Sequence, residues 1–378
     1  MRCHSVRDEA DLVEALSEAV SSDHAYNVIA HGSRRGQGQL AAPSDILDVY
    51  ALSGVVDYQP GELILTARPG TPMQAIHALL EQQGQMLGFE PDMGQGGTIG
   101  GAIMVADAGS RRPFAGSARD HFLGFHAVSG RGEAFKAGGK VVKNVTGYDL
   151  PKLFAGSFGT LGVLTELTVK VMPRPEQVET LALPSADPTH DFASLRRMMQ
   201  GDYDISGLAR LPAALSSTGA PILLVRFEGT PKSIAARKAN LFAREKWAEA
   251  DQVNNDVWAK IGSGGLFADA PVLWRISIAP DRAAEISNHL TPGDFYADWA
   301  GGRLFWTGDG TDDHGAARLR RVIGGQGHCF LLRAPDDVRA QVPVFEPLAP
   351  GLKALSARVK HQFDPKNILN PGRMGDAF

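Results

Sequence analysis

The sequence predicts an α+β protein in two domains: a glycine-rich first domain, and an α+β second domain built on an antiparallel sheet. Three observations carry this. Glycine fills 43 of 378 positions, above the usual ~7%, and many of these residues cluster between 94 and 162. Pro173-Arg174-Pro175-Glu176 is a sharp stop, after which the composition changes. From 177 to 335, short β-rich runs alternate with helical spacing, the pattern of antiparallel strands with helices between them. The boundaries expected are 1–175 for the first domain, 176–335 for the second and 336–378 for a C-terminal segment.

Taken in order, 11–20 has helical spacing and 26–30 is a short β-rich run ending at His31-Gly32. Strands 55–58 and 63–67 flank the turn signal Pro60-Gly61. A helix over 71–83 is expected to use Thr71 as its N-cap and Pro72 as its first residue. Strands 122–129 and 133–135 meet at Gly130-Arg131-Gly132, and 161–171 reads as a longer strand. In the second domain, strands are expected at 178–183, 222–227, 272–278, 295–299, 303–307 and 329–332. Helices are expected there at 232–249, 281–290 and 312–323, and a last helix within 348–378. Trp258, Trp274, Trp299 and Trp306 read as core of the second domain.

Bulk properties exclude several classes. A formal charge of −4 and a pI near 6.3 leave no electrostatic footprint for nucleic acid. No apolar run reaches the roughly 18 residues of a membrane span. The start, MRCHSVRDEADLVEAL, carries acidic residues where a signal peptide needs an apolar core. Cys3 and Cys329 stand at opposite ends of the chain, without metal-type spacing or a disulfide framework. The compartment expected is the reducing cytoplasm.

Clustered glycines without a short repeat mean that backbone approaches something closely or adopts positive φ, so a ligand is expected in the first half. The common nucleotide fingerprints do not fit. Gly94-Gln95-Gly96-Gly97-Thr98-Ile99 places Ile99 where a dinucleotide fingerprint needs its third glycine, and Gly139-Lys140 is followed by Val141, so it is no Walker A loop. His31-Gly32-Ser33-Arg34-Arg35-Gly36-Gln37-Gly38 follows a strand and offers successive backbone N–H groups with two arginines, a nest suited to a diphosphate. Gly96-Gly97-Thr98-Ile99-Gly100-Gly101 is a second donor turn.

Longer runs carry a resemblance. The stretch from Gly138-Gly139-Lys140 through Asn144-Val145-Thr146-Gly147-Tyr148-Asp149, then Leu153-Phe154-Ala155-Gly156-Ser157-Phe158-Gly159-Thr160-Leu161-Gly162-Val163, resembles the FAD-binding domain of the vanillyl-alcohol-oxidase/p-cresol-methylhydroxylase (PCMH) type. Phe363-Asp364-Pro365 through Asn370-Pro371-Gly372-Arg373 is similar to that family's closing segment, which returns to the FAD domain. Leu52-Ser53-Gly54-Val55-Val56-Asp57-Tyr58, Glu62–Pro72, Arg111–Gly116 and Leu273-Trp274-Arg275 resemble, within it, the FAD-binding subunits of bacterial glycolate oxidases.

The resemblance implies a two-lobed PCMH-type FAD-binding domain with its cap, and non-covalent FAD, since His31 precedes the glycine of its loop. It implies cofactor contacts from Gly32, Ser33, Arg34, Arg35 and Gly36, from Pro69 and Gly70, and from Gly97, Thr98, Ile99, Gly100 and Gly101. Further contacts would come from Gly109, Ala115 and Gly116, from Gly159, Thr160, Gly162 and Val163, and from Asn370. It implies oxidation of a small 2-hydroxy acid such as glycolate. Arg275 or Arg112 would hold the substrate carboxylate, and Tyr148 and Asn144 would lie near the flavin ring. His31, His121, His126, His328 and His361 are weak candidates for the base. The resemblance also implies as partners a second flavin subunit and an iron–sulfur subunit; two cysteines cannot hold a cluster here, so any such centre would lie in a partner. The stretch from Thr307 to His314 lacks the two-histidine metal spacing of related dehydrogenases, so no metal is expected. Two alternatives stand beside this reading: a self-sufficient hydroxy-acid (lactate-type) dehydrogenase, and a scaffold subunit that binds FAD without oxidising substrate.

Overall fold

The computed structural model describes residues 2–93, 96–140, 147–216, 218–245, 247 and 250–375. Packing divides the chain into two units. The first comprises Met1–Ala108, Gly116–Arg174 and Pro347–Phe378; the second comprises Gly109–Ala115 and Pro175–Glu346. The short segment Gly109–Ala115 thus leaves the unit that holds both its flanks.

In the first unit, helix Glu9–Ser22 starts where the Asp8 carboxylate accepts from Asp11 N–H, and it buries Leu12, Ala15, Leu16 and Ala19 on one face. That face packs with Leu47, Val49, Leu52, Ile368 and Leu369. Strands Cys3–Ser5, Asp45–Asp48 and Tyr26–Ile29 form a small parallel sheet with Asp45–Asp48 in the middle. A five-stranded antiparallel sheet runs in the order Val55–Gln59, Ile64–Ala67, Gly162–Lys170, Phe122–Ser129 and Ala134–Gly138. Helix Met73–Glu81 adds Met73, Ile76 and Leu80 to its core, where Phe125 and Phe154 lie 4.5 Å apart, centroid to centroid. Thr71 is not the N-cap. Its hydroxyl donates to the Arg68 carbonyl at 2.6 Å and accepts from Gly54 N–H at 2.9 Å, while Pro72 occupies the cap position without a side-chain bond.

In the second unit, eight antiparallel strands run in the order Asp251–Val253, Gln177–Pro184, Ile222–Gly229, Ile205–Leu211, Phe295–Asp298, Arg303–Trp306, Leu273–Ile278 and Gly327–Arg333. Strand Ile205–Leu211 was not anticipated: Gly207 and Arg210 interrupt its apolar pattern, and a bulge sits between Ile205 and Gly207. Helix Pro188–Gln200 was also missed, although Asp187 caps it by accepting from Thr189 and His190 N–H. The helix expected from 281 is a 3₁₀ turn, Pro280–Arg282, followed by Ala283–Ser287. The helix expected from 312 begins at Ala316, because Asp313 accepts from the N–H groups of Gly315 and Ala317. Trp258, Trp274, Trp299 and Trp306 are all buried.

Candidate cofactor site

Strand Tyr26–Ile29 delivers the first glycine turn. Gly32 takes φ +81° and Gly38 φ +82°, in the left-handed region that glycine enters without strain. Arg35 N–H donates to the Gly32 carbonyl and Gln37 N–H to that of Arg34, both at 3.1 Å. Among the described residues, the N–H groups of Ser33, Arg34 and Gly36 meet no protein acceptor. Such a row of unsatisfied donors fits a diphosphate. The Arg34 guanidinium is committed elsewhere. It pairs with Asp92 at 3.0 Å and Asp107 at 2.5 Å, and its side chain is only 10% exposed. Arg34 therefore offers the site its backbone donor rather than its charge.

The second glycine turn packs against the first. A Cβ on Gly97 would lie 2.9 Å from Ser33 Oγ, and one on Gly96 would lie 3.5 Å from the His31 ring. The turn is pinned at both ends: Met73 N–H donates to the Gly97 carbonyl, Ile99 N–H to that of Thr71 and Gly100 N–H to that of Pro69. Thr98 caps helix Ile99–Met104, its hydroxyl accepting from Gly101 N–H at 3.2 Å. Gly100 has no room for a side chain beside Pro69, and Gly70 has none beside the carbonyls of Val49, Tyr50 and Leu52. These close approaches join Pro69 and Gly70 to the same backbone cluster.

A third turn joins them. Gly156 N–H donates to Ile103 and Phe158 N–H to Met104, which ties 156–160 to the end of the helix begun at Ile99. Asn370 Nδ2 donates to the Phe158 carbonyl at 2.9 Å, its Oδ1 accepts from Val28 N–H, and Gly159 packs against it. Lys360 Nζ donates to the Thr160 carbonyl at 2.8 Å and to Asp364 Oδ2 at 2.6 Å. Burial lowers the Lys360 ammonium from the ordinary lysine value, against the opposing pull of Asp364. Neither Lys360 nor Arg373, whose guanidinium donates to the carbonyls of Arg34 and Arg35, was singled out from the sequence. The i,i+4 spacing of Lys360 and Asp364 was the one signal available.

Other expected site residues are placed differently. Gly162 and Val163 sit in a strand paired with Ser129 and Val128, and both are buried. Gly116, at φ +88°, packs on Asp120, which accepts from Ser117 N–H. Asn144 lies outside the described residues. Tyr148 is 90% exposed. His121 is buried with Nδ1 3.1 Å from the Lys170 carbonyl, a structural setting.

Gly109 and Ala115 belong to the second unit, where the segment carrying them is held by buried charge. The Gly109 carbonyl accepts from Trp299 Nε1 at 3.0 Å, and Ser110 Oγ donates to Asp298 Oδ2 at 2.8 Å. Arg111 meets Glu228 through Nη2 at 2.6 Å and Nε at 3.1 Å, and Arg226 approaches the same carboxylate at 3.3 Å. The Arg112 guanidinium stands over Trp299 at 4.7 Å, beside a groove of about 460 Å³ that Ser277, Gln326 and His328 also line. Arg275, half-buried, stands over Phe330 at 4.8 Å and is not among the groove's lining residues.

Comparison with known proteins places the chain among FAD-dependent oxidoreductases. The chain matches a family model described as FAD binding domain over residues 4–138, and one described as FAD linked oxidases, C-terminal domain, over 347–374. It is 35% identical to glycolate oxidase subunit GlcE of Escherichia coli (strain K12) over 366 residues, 96% of either chain. It is 30% identical to glycolate oxidase subunit GlcD of Bacillus subtilis (strain 168) over 210 residues, 54% of this chain and 43% of that one. A mitochondrial D-lactate dehydrogenase [cytochrome] of Arabidopsis thaliana is 26% identical over 309 residues, 74% of this chain and 52% of that one. p-Cresol methylhydroxylase with substrate bound superposes with a TM-score of 0.73 at 15% identity, covering 99% of this chain and 88% of that one. Alkyldihydroxyacetonephosphate synthase gives 0.69 at 15%, covering 98% and 75%, so the fold is of the PCMH type. The chain belongs to the family of FAD-binding glycolate oxidase subunits, within the FAD-linked oxidases. Among the described residues no helix is long and apolar enough to cross a membrane.

Proposed function

We propose that this chain is the FAD-binding subunit of a glycolate oxidase complex that oxidises glycolate to glyoxylate and passes the electrons to an iron–sulfur partner subunit. The observation that carries this reading is the 35% identity to GlcE over 96% of both chains. The meeting of the two glycine turns supports it locally, through the close approach of Gly97 to Ser33.

Bound FAD would supply a two-electron acceptor, at N5, for the C2 hydride of a 2-hydroxy acid whose hydroxyl proton passes to a base. The chain's own part is to hold FAD non-covalently through Ser33, Arg34 and Gly36 N–H and through the turns at 97–101 and 158–160. Arg112 or Arg275 would anchor the substrate carboxylate, since a guanidinium presents two parallel donors to it. Asn144 and Tyr148 would lie towards the flavin ring. A second flavin subunit and an iron–sulfur subunit would complete the assembly, and the cluster would lie in the partner since Cys3 and Cys329 alone cannot supply its thiolates. Peripheral attachment to the inner membrane would then come through those partners.

One observation favours a second reading. The D-lactate dehydrogenase relative bears a single-enzyme name, which suits a self-sufficient hydroxy-acid dehydrogenase. Two measurements test these readings, and the second separates them. The purified chain should show the two flavin absorption bands, and acid precipitation should release the chromophore into solution. Anaerobic glycolate should bleach the flavin of the assembled complex and leave that of the isolated chain oxidised. Bleaching of the isolated chain by glycolate or lactate would establish the second reading, and a colourless chain that takes up no FAD would refute both.

A further inference from the structure

We infer that Arg373 is a positioning residue for the FAD diphosphate, acting from behind the first glycine turn. The inference rests on the reading of 32–38 as the diphosphate loop.

The closing segment runs along this turn. Ala42 N–H donates to the Pro371 carbonyl at 2.9 Å and Gln39 N–H to the Arg373 carbonyl at 3.0 Å. From that anchored backbone, Arg373 Nη2 donates to the Arg34 carbonyl at 2.8 Å and to the Arg35 carbonyl at 3.0 Å. In a trans peptide the C=O of one residue and the N–H of the next point in opposite directions across a rigid plane. Two carbonyls drawn to one guanidinium nitrogen therefore turn the N–H groups of Arg35 and Gly36 to the other side. Arg35 N–H closes the turn on the Gly32 carbonyl at 3.1 Å, and Gly36 N–H is left without a protein acceptor among the described residues. The guanidinium also polarises both peptide groups, which strengthens their donors towards an anion. Arg373 itself does not need to touch the cofactor.

The test uses the full chain, stripped of flavin, with FAD and riboflavin as probes that differ by the diphosphate and adenosine. Arg373→Met should raise the FAD Kd about tenfold or more and leave riboflavin binding unchanged. Arg373→Lys, which keeps a cationic donor on a long side chain, should bind FAD within about threefold of the parent, with Arg373→Gln between the two. Should the Met variant not fold, the Gln variant carries the same comparison. Unchanged FAD affinity in the Met variant, or an equal loss for FAD and riboflavin, overturns the inference. Gly36→Pro removes the donor itself. If it weakens FAD while Arg373→Met does not, the positioning role is wrong and the loop assignment stands. If Gly36→Pro leaves FAD binding intact, the loop assignment fails and the inference with it.

Discussion

Gly100 and Gly101 are neighbours in helix Ile99–Met104, and the structure assigns them opposite responses to the same added methyl group. In Gly100→Ala the new Cβ would stand 2.5 Å from Pro69 Cβ, 2.8 Å from its carbonyl oxygen and 2.9 Å from its Cα. Carbon atoms pack comfortably at roughly 3.5–4.0 Å, so the two backbones must separate by about 1 Å. Overpacking of this kind costs about 1–3 kcal/mol. Stretching the Gly100-to-Pro69 hydrogen bond, now 2.9 Å, adds about 0.5–1.5 kcal/mol. Helix propensity returns about 1 kcal/mol, which leaves a net loss near 0.5–3.5 kcal/mol. In Gly101→Ala the nearest atom is Thr98 Oγ1 at 3.4 Å, an ordinary contact, so the flavin-free chain should gain about 0.5–1 kcal/mol. Guanidinium unfolding of the flavin-free chains, followed by far-ultraviolet circular dichroism, reads both values. Equal midpoints for the two variants, or a Gly100→Ala variant as stable as the parent, would refute the packing argument.

Three further outcomes are expected. Arg111→Met should destabilise the second unit by roughly 3 kcal/mol, the low end for a broken buried ion pair, because Arg226 still faces Glu228; urea unfolding measures it. Burial, reinforced by the Glu346 carboxylate, pushes the Cys329 thiol up to about 12, so iodoacetamide at pH 8 should label exposed Cys3 and spare Cys329, as mass spectrometry of peptides would show. A thiol raised in the fold contributes stability that is full below its ordinary value of 9.0 and is lost as pH rises towards 12; Cys329→Ala should flatten that part of the alkaline unfolding curve.

What could be read from the sequence follows the range of the interactions concerned. Turns declare themselves locally, and the glycines at 32, 38 and 96 do occupy the positive-φ conformations that their clustering suggested. The apolar spacing of Leu12, Ala15, Leu16 and Ala19 likewise fixed a helix. Gly162 needed different reasoning: its Cβ would crowd Phe154 and the Val128 carbonyl, which only strand pairing reveals. Strand Ile205–Leu211 escaped because its burial comes from neighbours on either side, which let it carry Gly207 and Arg210. Thr71 satisfied the statistical rule for a cap yet spends its hydroxyl on the turn before the helix. Arg373 reaches carbonyls more than 330 positions away, and no local pattern encodes such a partner.

The small segment Gly109–Ala115 also sets a clock for synthesis. Arg111 lies 117 positions before Glu228, so a ribosome adding roughly 5–20 residues per second leaves it waiting about 6–23 s for its carboxylate. During that interval a guanidinium destined for a buried pair stays in water, and the second unit cannot close its charge network. The same order governs dissection of the gene. A fragment from 175 to 346 would bury Glu228 with Arg226 alone and Asp298 without Ser110, so a separately expressed second unit needs the seven residues supplied back to it.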